Sequence, residues 1–328
     1  MSILDSQELQ VALEAARQAS SICRSVQSAI DEAMEKQDRS PVTVADYASQ
    51  AIICKAIREV FPDDPIIAEE DSKDLRLPEN QQHLERIQAE VAALGIATSS
   101  DEICQWIDYG NQQEAAPRCW TLDPIDGTKG FLRKEQFAVS LALLVNGQIE
   151  VAVLSCPNLA AGDAWDHQRG ALFYAVKGQG AFVLPLDDLD AQPQTVRVSG
   201  TGNASMARMC ESVESGHSDH SLSSQALEHL GITADPVRLD SQAKYGVVAR
   251  GEADIYLRLP TRPGYHEKIW DHAGGVLVVE EAGGRVSDVD GKPLDFSLGS
   301  RLDENRGVVV TNGLLHDQVL AALKEVGV

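Results

Sequence analysis

The stretch WTLDPIDGTKG, residues 120–130, predicts a buried strand that leads into a tight acidic turn. Asp123 and Asp126 stand three residues apart on this proline-stiffened turn, and Gly127 and Thr128 follow at once. Two hard oxygen donors so close together can share one divalent cation or bridge two. Gly127 allows the backbone to approach a ligand, and the N–H groups of a helix that starts at Thr128 suit an anion. The stretch therefore indicates metal-assisted phosphoryl chemistry.

The composition is that of a globular protein with a strongly acidic surface. The chain has 328 residues, of which 43% are hydrophobic and 24% charged, enough for one large domain or two that share a cleft. The formal net charge of −22 argues against nucleic acid as a partner, because a polyanion needs a basic surface. No apolar run is long enough to span a membrane. Most of the negative charge keeps the protein soluble. The same charge repels a phosphate ester, which could approach only where bound cations make the surface locally positive, so the acidity favours a metal site.

The cysteines indicate reduced thiols rather than a zinc site. None of the six forms a C-x-x-C pair, and their spacing matches no zinc pattern: Cys23, Cys54, Cys104, Cys119, Cys156 and Cys210. The N-terminal segment has neither the basic nor the apolar region of a secretory signal, so we expect a reducing, cytoplasmic location. Metals with oxygen ligands are favoured over zinc.

Hydrophobic periodicity predicts helices and mostly antiparallel strands in layers, with a cleft between two halves. In the first half, helices are predicted at 4–37, 44–60 and 80–94, with Ser40-Pro41-Val42 as the break between the first two. Predicted strands are 65–68, 119–122, 137–145, 148–155, 171–176 and 181–184, and the third and fourth are joined by an Asn-Gly hairpin turn. The polar segment 185–195 divides an N-terminal subdomain, 1–195, from a C-terminal one, 196–328. In the latter we expect strands at 236–239, 253–259 and 307–310 and helices at 241–249, 269–281 and 314–326.

Three further carboxylate positions are candidates for the same site, and each has a structural alternative. Glu69 ends a predicted strand and could reach the cation of Asp123, or it could belong to a solvated acidic loop. Asp46 follows Thr43 by three residues, so it either caps a helix or accepts a hydrogen bond from a hydroxyl such as that of Thr128. Asp271 either complements a helix dipole or points into the cleft, since small residues one turn later allow close packing.

Basic and polar groups in the second half could hold a phosphate. Lys244 and Arg258 lie near predicted helix and strand ends, where surface ion pairing is the alternative. Ser241 stands beside Lys244 in the sequence LDSQAKY. His217 lies in a Gly/Ser/His-rich loop that could equally be a solvated linker.

The motifs resemble a known family. LDPIDGT at 122–128 and WDHAGG at 270–275, with a Glu-Glu pair after an upstream strand, are similar to the magnesium-dependent, lithium-sensitive phosphatases of the inositol monophosphatase superfamily, which includes fructose-1,6-bisphosphatase. The likeness covers nearly the whole chain and is greatest to the 3′(2′),5′-bisphosphate nucleotidase branch, which has counterparts of the segments at 40–50, 61–71, 120–133, 212–220, 239–245, 256–260 and 265–275. It implies an α/β (α+β) fold, a layered αβαβα sandwich of two subdomains with the site between them.

The resemblance also implies a role for each site residue. Two or more Mg²⁺ ions would be held by Glu69, Asp123, the backbone carbonyl of Ile125, Asp126 and Asp271. Asp46 and Thr128 would form the proton-accepting pair for the attacking water. The substrate would be bound by Gly127, Thr128, His217, Ser241, Lys244 and Arg258, with His220 as the alternative to His217. Ala68 and Asp71 depart from the residues that many relatives carry beside the Glu pair.

Three functional hypotheses follow. The first is hydrolysis of adenosine 3′,5′-bisphosphate to AMP and phosphate, with the sulfated nucleotide as a further substrate. The second keeps the fold and the metals but takes an inositol phosphate. The third is a non-catalytic sensor of the nucleotide. In each the ligand is a small phosphorylated molecule, with neither nucleic acid nor membrane involved, and protein partners stay open.

Overall fold

The computed structural model describes residues 6–30, 40–213, 220–260, 262 and 264–328. Its helices are α1 Gln7–Ser28, α2 Ser40–Val60, α3 Gln81–Ala93, α4 Ser100–Asp108, α5 Thr128–Leu132, α6 His220–His229, α7 Ala243–Ala249, α8 Ala273–Glu281 and α9 His316–Glu325. Its strands are β1 Ile66–Ala68, β2 Arg118–Asp126, β3 Ala138–Val145, β4 Gln148–Ala160, β5 Arg169–Val176, β6 Ala181–Pro185, β7 Gln194–Val196, β8 Met209–Glu211, β9 Val237–Arg238, β10 Ile255–Arg258, β11 Arg285–Ser287 and β12 Val308–Thr311.

Two sheets and three groups of helices form five layers. The seven-stranded sheet runs β1 to β7 in sequence order, with β1 parallel to β2 and every other pair antiparallel. The five-stranded sheet has the order β11-β12-β10-β8-β9. Helices α1 and α2 cover one face of the large sheet, α7 and α8 lie between the sheets, and α6 and α9 cover the small sheet. The expected αβαβα sandwich is confirmed.

Burial on both faces explains why the central strands read as continuous apolar runs. In β4, Val151 and Val153 face the core beneath α1, whereas Ala152 and Leu154 face α8. In β10, Tyr256 faces the core between the sheets, while its neighbours face α9. Side chains alternate along a strand, so a strand covered on both faces needs apolar residues at every position.

Most predicted elements are present, but three boundaries were wrong. The first helix, predicted to reach residue 37, ends at Ser28. The predicted break at Ser40-Pro41-Val42 is the start of α2, because proline in the first turn of a helix removes no backbone hydrogen bond. The predicted tight turn at residues 123–126 is the end of β2, whose register with β3 shifts between Asp123 and Asp126. Such a bulge re-aims side chains without ending the strand.

Other local predictions were correct or incomplete. The Asn-Gly hairpin is confirmed: Asn146 and Gly147 both have positive φ, 50° and 73°, as a type I′ turn requires. Helix α4 was missed, although Ser99 and Glu102 form a complete capping box at its start. The chain leaves the large sheet at Val196 and enters the small one at Met209. The division into subdomains at 195/196 stays a prediction.

Candidate active site

A cleft of about 630 Å³ gathers the predicted site residues. It is bounded by the ends of β1 and β2, the start of α5, and the segments that precede α7 and α8. Every predicted site residue in the described part of the chain lines it: Asp46, Glu69, Asp123, Ile125, Asp126, Gly127, Thr128, Ser241, Lys244, Arg258 and Asp271. The remaining one, His217, lies outside the described residues.

The end of β2 presents its two aspartates from a fixed backbone. Asp123 is only 1% exposed and accepts a hydrogen bond from the backbone N–H of Ile125 at 3.1 Å. Ile125 packs its side chain into the core, so it lines the cleft with its backbone. The hydroxyl of Ser49 in α2 donates to the carbonyl of Pro124 at 3.0 Å and ties the segment to that helix. The bulge thus directs several oxygen atoms to one side of the strand.

Parallel pairing of β1 with β2 brings the acidic end of β1 to the same place. Ala68 pairs with Leu122, so Glu69 and Asp123 follow their partners side by side at the same edge of the sheet. Glu69 begins a solvent-exposed segment, as the alternative of a solvated acidic loop predicted. The solvent that it faces, however, is that of the cleft and not that at the outer surface. Burial by the surrounding walls, with the charges of Asp271, Glu70 and Asp126, raises the pKa of Glu69 to about 8.

Asp46 lies inside α2 and not at its cap. It is the seventh residue of the helix and only 7% exposed, so the capping interpretation was wrong. Burial, followed by the charges of Glu70 and Glu69, raises the pKa of Asp46 well above its usual range. A carboxyl group in this setting readily takes up a proton.

The acidic cluster has the donor set of a hard-cation site. Burial raises the pKa of both Asp123 and Asp271, and neighbouring carboxylates add to it in each case. Among the described residues, seven carboxyl groups line the cleft, against Lys129, Lys244 and Arg258 as the cationic side chains. Carboxylates that repel one another in a water-filled cleft are stabilised by divalent cations with oxygen ligands, so the residues fit Mg²⁺.

A second cluster of titratable side chains includes Asp271, and charges within the protein already neutralise it. Glu267, Asp271 and His272 each offer one potential metal-ligand atom, and these three atoms lie within 4.8 Å of one another. Arg258 pairs with Glu267 at 2.8 Å and with Asp271 at 3.1 Å. The imidazole Nδ1 of His272 lies 2.7 Å from the hydroxyl of Tyr245. These contacts satisfy Glu267 and orient Asp271 towards the cleft.

Lys244 is buried and the Arg258 side chain is only 15% exposed, so ion pairing on the outer surface explains neither of the predicted phosphate-binding cations. Lys244 is 3% exposed, and its Nζ lies 5.1 Å from the centre of the Tyr256 ring. Burial lowers the pKa of Lys244. Arg258 serves two carboxylates, a role that the sequence did not reveal. Both cationic side chains still line the cleft, where an anionic ligand could reach them.

Gly127 and Ser241 bring the two sides of the cleft into contact. Gly127 has φ +89°, and a Cβ added there would lie 2.8 Å from Cβ of Ser241. Ser241 itself has φ +70°, an unusual conformation for a residue with a side chain. Glycine at 127 is therefore needed both for its backbone conformation and for this close approach.

Several lining residues were not assigned to the site from the sequence: Tyr47, Glu70, Asp240, Gln242, Tyr256 and Tyr265. Gln242 and Asp240 belong to LDSQAKY, so the motif held a signal for them. Tyr47 adjoins Asp46, and Glu70 adjoins Glu69. Tyr265 opens the segment 265–275, so the sequence held a signal for it as well, although only the tertiary fold brings it to the cleft.

Comparison with known proteins identifies the class. The inositol monophosphatase family matches residues 5–327, so the chain belongs to this family. An IMPase of Thermotoga maritima has the same fold, with a TM-score of 0.65 and 23% identity over 98% of both chains. An inositol monophosphatase of Anabaena gives a TM-score of 0.60 at 24% identity, over 97% of this chain and 94% of the other.

More similar relatives come from one branch of the family. A 3′(2′),5′-bisphosphate nucleotidase of Schizosaccharomyces pombe is 42% identical over 334 residues, which is 96% of this chain and 94% of the relative. A protein of the same name from Oryza sativa is 43% identical over 339 residues, 97% of this chain and 94% of the relative.

Two properties outside the cleft bear on the sequence predictions. All six cysteines are free and buried. Among the described residues, no helix is both long and apolar enough to cross a bilayer.

Proposed function

We propose that this chain is a Mg²⁺-dependent 3′(2′),5′-bisphosphate nucleotidase that hydrolyses adenosine 3′,5′-bisphosphate to AMP and phosphate. The observation that carries the proposal is the convergence, in one cleft, of an acidic cluster with Lys244 and Arg258. The relatives named as such nucleotidases, 41–43% identical over almost the whole chain, support the choice of substrate. The sulfated nucleotide is a further expected substrate.

The metal ligands in this proposal are Glu69, Asp123, the carbonyl of Ile125, Asp126 and Asp271. When bound, two or more Mg²⁺ ions neutralise the phosphate oxygens and make the attacking water more acidic. The protein holds the ligands in place through the β2 bulge and the Arg258 contact with Asp271. Lithium is expected to inhibit, as in the enzymes that the motifs resemble.

Residues on the opposite walls would orient the reactants. Thr128 would align the attacking water, and Asp46 would accept its proton through the Thr128 hydroxyl. Gly127 permits the close approach of Ser241, and the backbone N–H groups that follow Gly127 would hold the phosphate. Lys244 and Arg258 would bind the anionic nucleotide, with His217 as a further substrate contact.

The cytoplasmic location predicted from the sequence is part of the proposal. Free thiols at all six cysteines are compatible with a reducing compartment. The ligand is a small phosphorylated nucleotide.

The decisive experiment measures phosphate release from adenosine 3′,5′-bisphosphate, the sulfated nucleotide and inositol 1-phosphate. Each of the three substrates is assayed with Mg²⁺, without it, and with added Li⁺. We expect the highest kcat/KM for adenosine 3′,5′-bisphosphate, dependence on Mg²⁺ and inhibition by Li⁺. A higher kcat/KM for inositol 1-phosphate would establish the inositol hypothesis instead. Nucleotide binding without phosphate release in saturating Mg²⁺ would establish the sensor hypothesis.

A matched pair of variants tests the nucleotide contact. Lys244→Ala removes a buried cation from the cleft, so KM for the nucleotide should rise about tenfold or more. Lys324→Ala, on the exposed end of α9, should leave KM unchanged. Equal KM values for the two variants would contradict the proposed role of Lys244.

A further inference from the structure

The side chain and the backbone N–H of Gln242 make four hydrogen bonds from a buried position at the start of α7. Its side chain is 2% exposed. The amide Nε2 donates to the carbonyl of Trp270 at 2.9 Å. The amide Oε1 accepts from the hydroxyl of Ser140 at 3.0 Å and from the backbone N–H of Gly275 at 3.3 Å. The backbone N–H of Gln242 donates to a carboxylate oxygen of Asp126.

These partners belong to both sides of the proposed metal site. Asp126 ends β2, and Ser140 on β3 is the register partner of Asp123. Trp270 directly precedes Asp271, and Gly275 lies in the first turn of α8. A single residue thus connects the strand that carries three of the proposed ligands with the segment that carries Asp271.

The chemistry of the amide favours an orienting role over simple space filling. Oε1 accepts from two donors and Nε2 donates to a carbonyl, so a flipped amide would oppose like groups at the Gly275 N–H and at the Trp270 carbonyl. A buried amide without its partners destabilises a fold, whereas an apolar side chain of similar length would fill the same space. The carboxylates of Asp126 and Asp271 repel each other, so their relative position has to be fixed by other groups.

We propose that Gln242 is a positioning residue for the metal centre. Its backbone N–H orients the Asp126 carboxylate, and its side chain fixes the segment before α8, so that Asp126 and Asp271 can serve one pair of cations. This inference rests on the proposed function, because it assigns both aspartates to the metal centre. Residues that orient metal ligands typically change affinity 10–100-fold when they are replaced.

The test measures Mn²⁺ binding to the substrate-free protein by isothermal titration calorimetry. Gln242→Met keeps the length of the side chain and the backbone contact with Asp126 but removes the amide. We expect Mn²⁺ to bind at least tenfold more weakly. In assays, the Mg²⁺ concentration for half-maximal activity should rise and kcat fall, with KM for the nucleotide at saturating Mg²⁺ changed less than twofold.

Asn305→Leu is the matched control. Asn305 is also a buried amide, with Nδ2 donating to Asp288 at 3.2 Å and to the carbonyl of Pro293 at 3.0 Å, and it does not line the cleft. Its replacement should lower the unfolding midpoint but leave Mn²⁺ affinity at the wild-type value. Ser140→Ala removes one partner of Gln242 and should weaken Mn²⁺ binding by a smaller factor. It carries the test if Gln242→Met does not fold.

The outcomes separate this inference from the proposed function. Wild-type Mn²⁺ affinity in Gln242→Met, together with a lower unfolding midpoint, would show that Gln242 is only a packing element. So would equal losses of Mn²⁺ affinity in Gln242→Met and Asn305→Leu. A wild-type protein that binds Mn²⁺ but hydrolyses none of the three substrates would reject the proposed function, and weaker Mn²⁺ binding in Gln242→Met would still support the positioning role.

Discussion

Replacing Gly275 by alanine should displace α8 and with it the segment that carries Asp271. A Cβ at this position would lie 2.3 Å from Cγ of Tyr245. Carbon atoms in contact are normally about 3.5 Å apart or more, so the helix or the ring has to move by about 1 Å. Tyr245 is fully buried, and its hydroxyl is held by His272 at 2.7 Å, so the ring cannot swing away. We therefore expect the helix to move.

Two consequences follow from this displacement. Overpacking costs about 1–3 kcal/mol of unfolding free energy, partly offset by about 1 kcal/mol from the better helix propensity of alanine. A shift of about 1 Å in a catalytic group lowers turnover by about 100-fold. Stability is measured by urea unfolding without metal, and turnover by phosphate release in saturating Mg²⁺.

A second glycine provides the control. A Cβ added at Gly202 would meet no atom within 4 Å beyond its chain neighbours, so Gly202→Ala should stay within about 0.5 kcal/mol of wild type and keep full turnover. Wild-type turnover in Gly275→Ala would refute the argument that close packing of α8 positions Asp271. Loss of stability without loss of turnover would do the same.

Two further predictions concern other buried polar groups. Burial and the charge of Arg285 lower the pKa of His316 from 6.5 to about 4. The unfolding free energy should therefore fall by about 3 kcal/mol as the pH drops from 6.5 to 4, because the unfolded chain binds the proton more readily than the folded one. Urea unfolding at several pH values should show this slope in wild type and a flatter one in His316→Gln; equal slopes would contradict it. The side-chain amide of Gln50 accepts from the backbone N–H of Glu70 at 3.0 Å and donates to the Glu70 carbonyl at 2.5 Å. Gln50→Met should therefore lower the unfolding free energy by about 2 kcal/mol. It should also bind Mn²⁺ more weakly than wild type, as measured by calorimetry. Unchanged Mn²⁺ affinity would show that this clamp does not position Glu69.

Local patterns in the sequence were sufficient for much of the fold. Period-2 and helical spacing located most strands and helices, and the Asn-Gly pair fixed one hairpin, since these features depend on residues close in sequence. Boundaries were less predictable where tertiary contacts decide them. The end of β2 reads as a turn because Asp-Pro and Asp-Gly favour turns, yet pairing with β3 keeps residues 118–126 in the sheet.

The interpretation of individual side chains depended on burial, which the sequence does not contain. Asp46 reads as a helix cap until the structure places it inside α2. Surface ion pairing was an alternative for Lys244 and Arg258 until the structure placed Lys244 in a buried position and left the Arg258 side chain only 15% exposed in the cleft wall. In each case the residue type was informative, and its environment had to come from distant segments.

From the sequence by itself, periodicity indicated layers of helices and strands, and the resemblance carried by contiguous motifs implied the αβαβα fold class, the family and the types of ligand atoms. Only the tertiary structure decided how the motifs act together. It showed that Gln242 joins Asp126 to the segment of Asp271, and that Arg258 pairs with Glu267 and Asp271. The physical reason is that hydrogen bonds and charge interactions act over a few ångströms, and more than a hundred residues separate Asp126 from Gln242 until the layers pack.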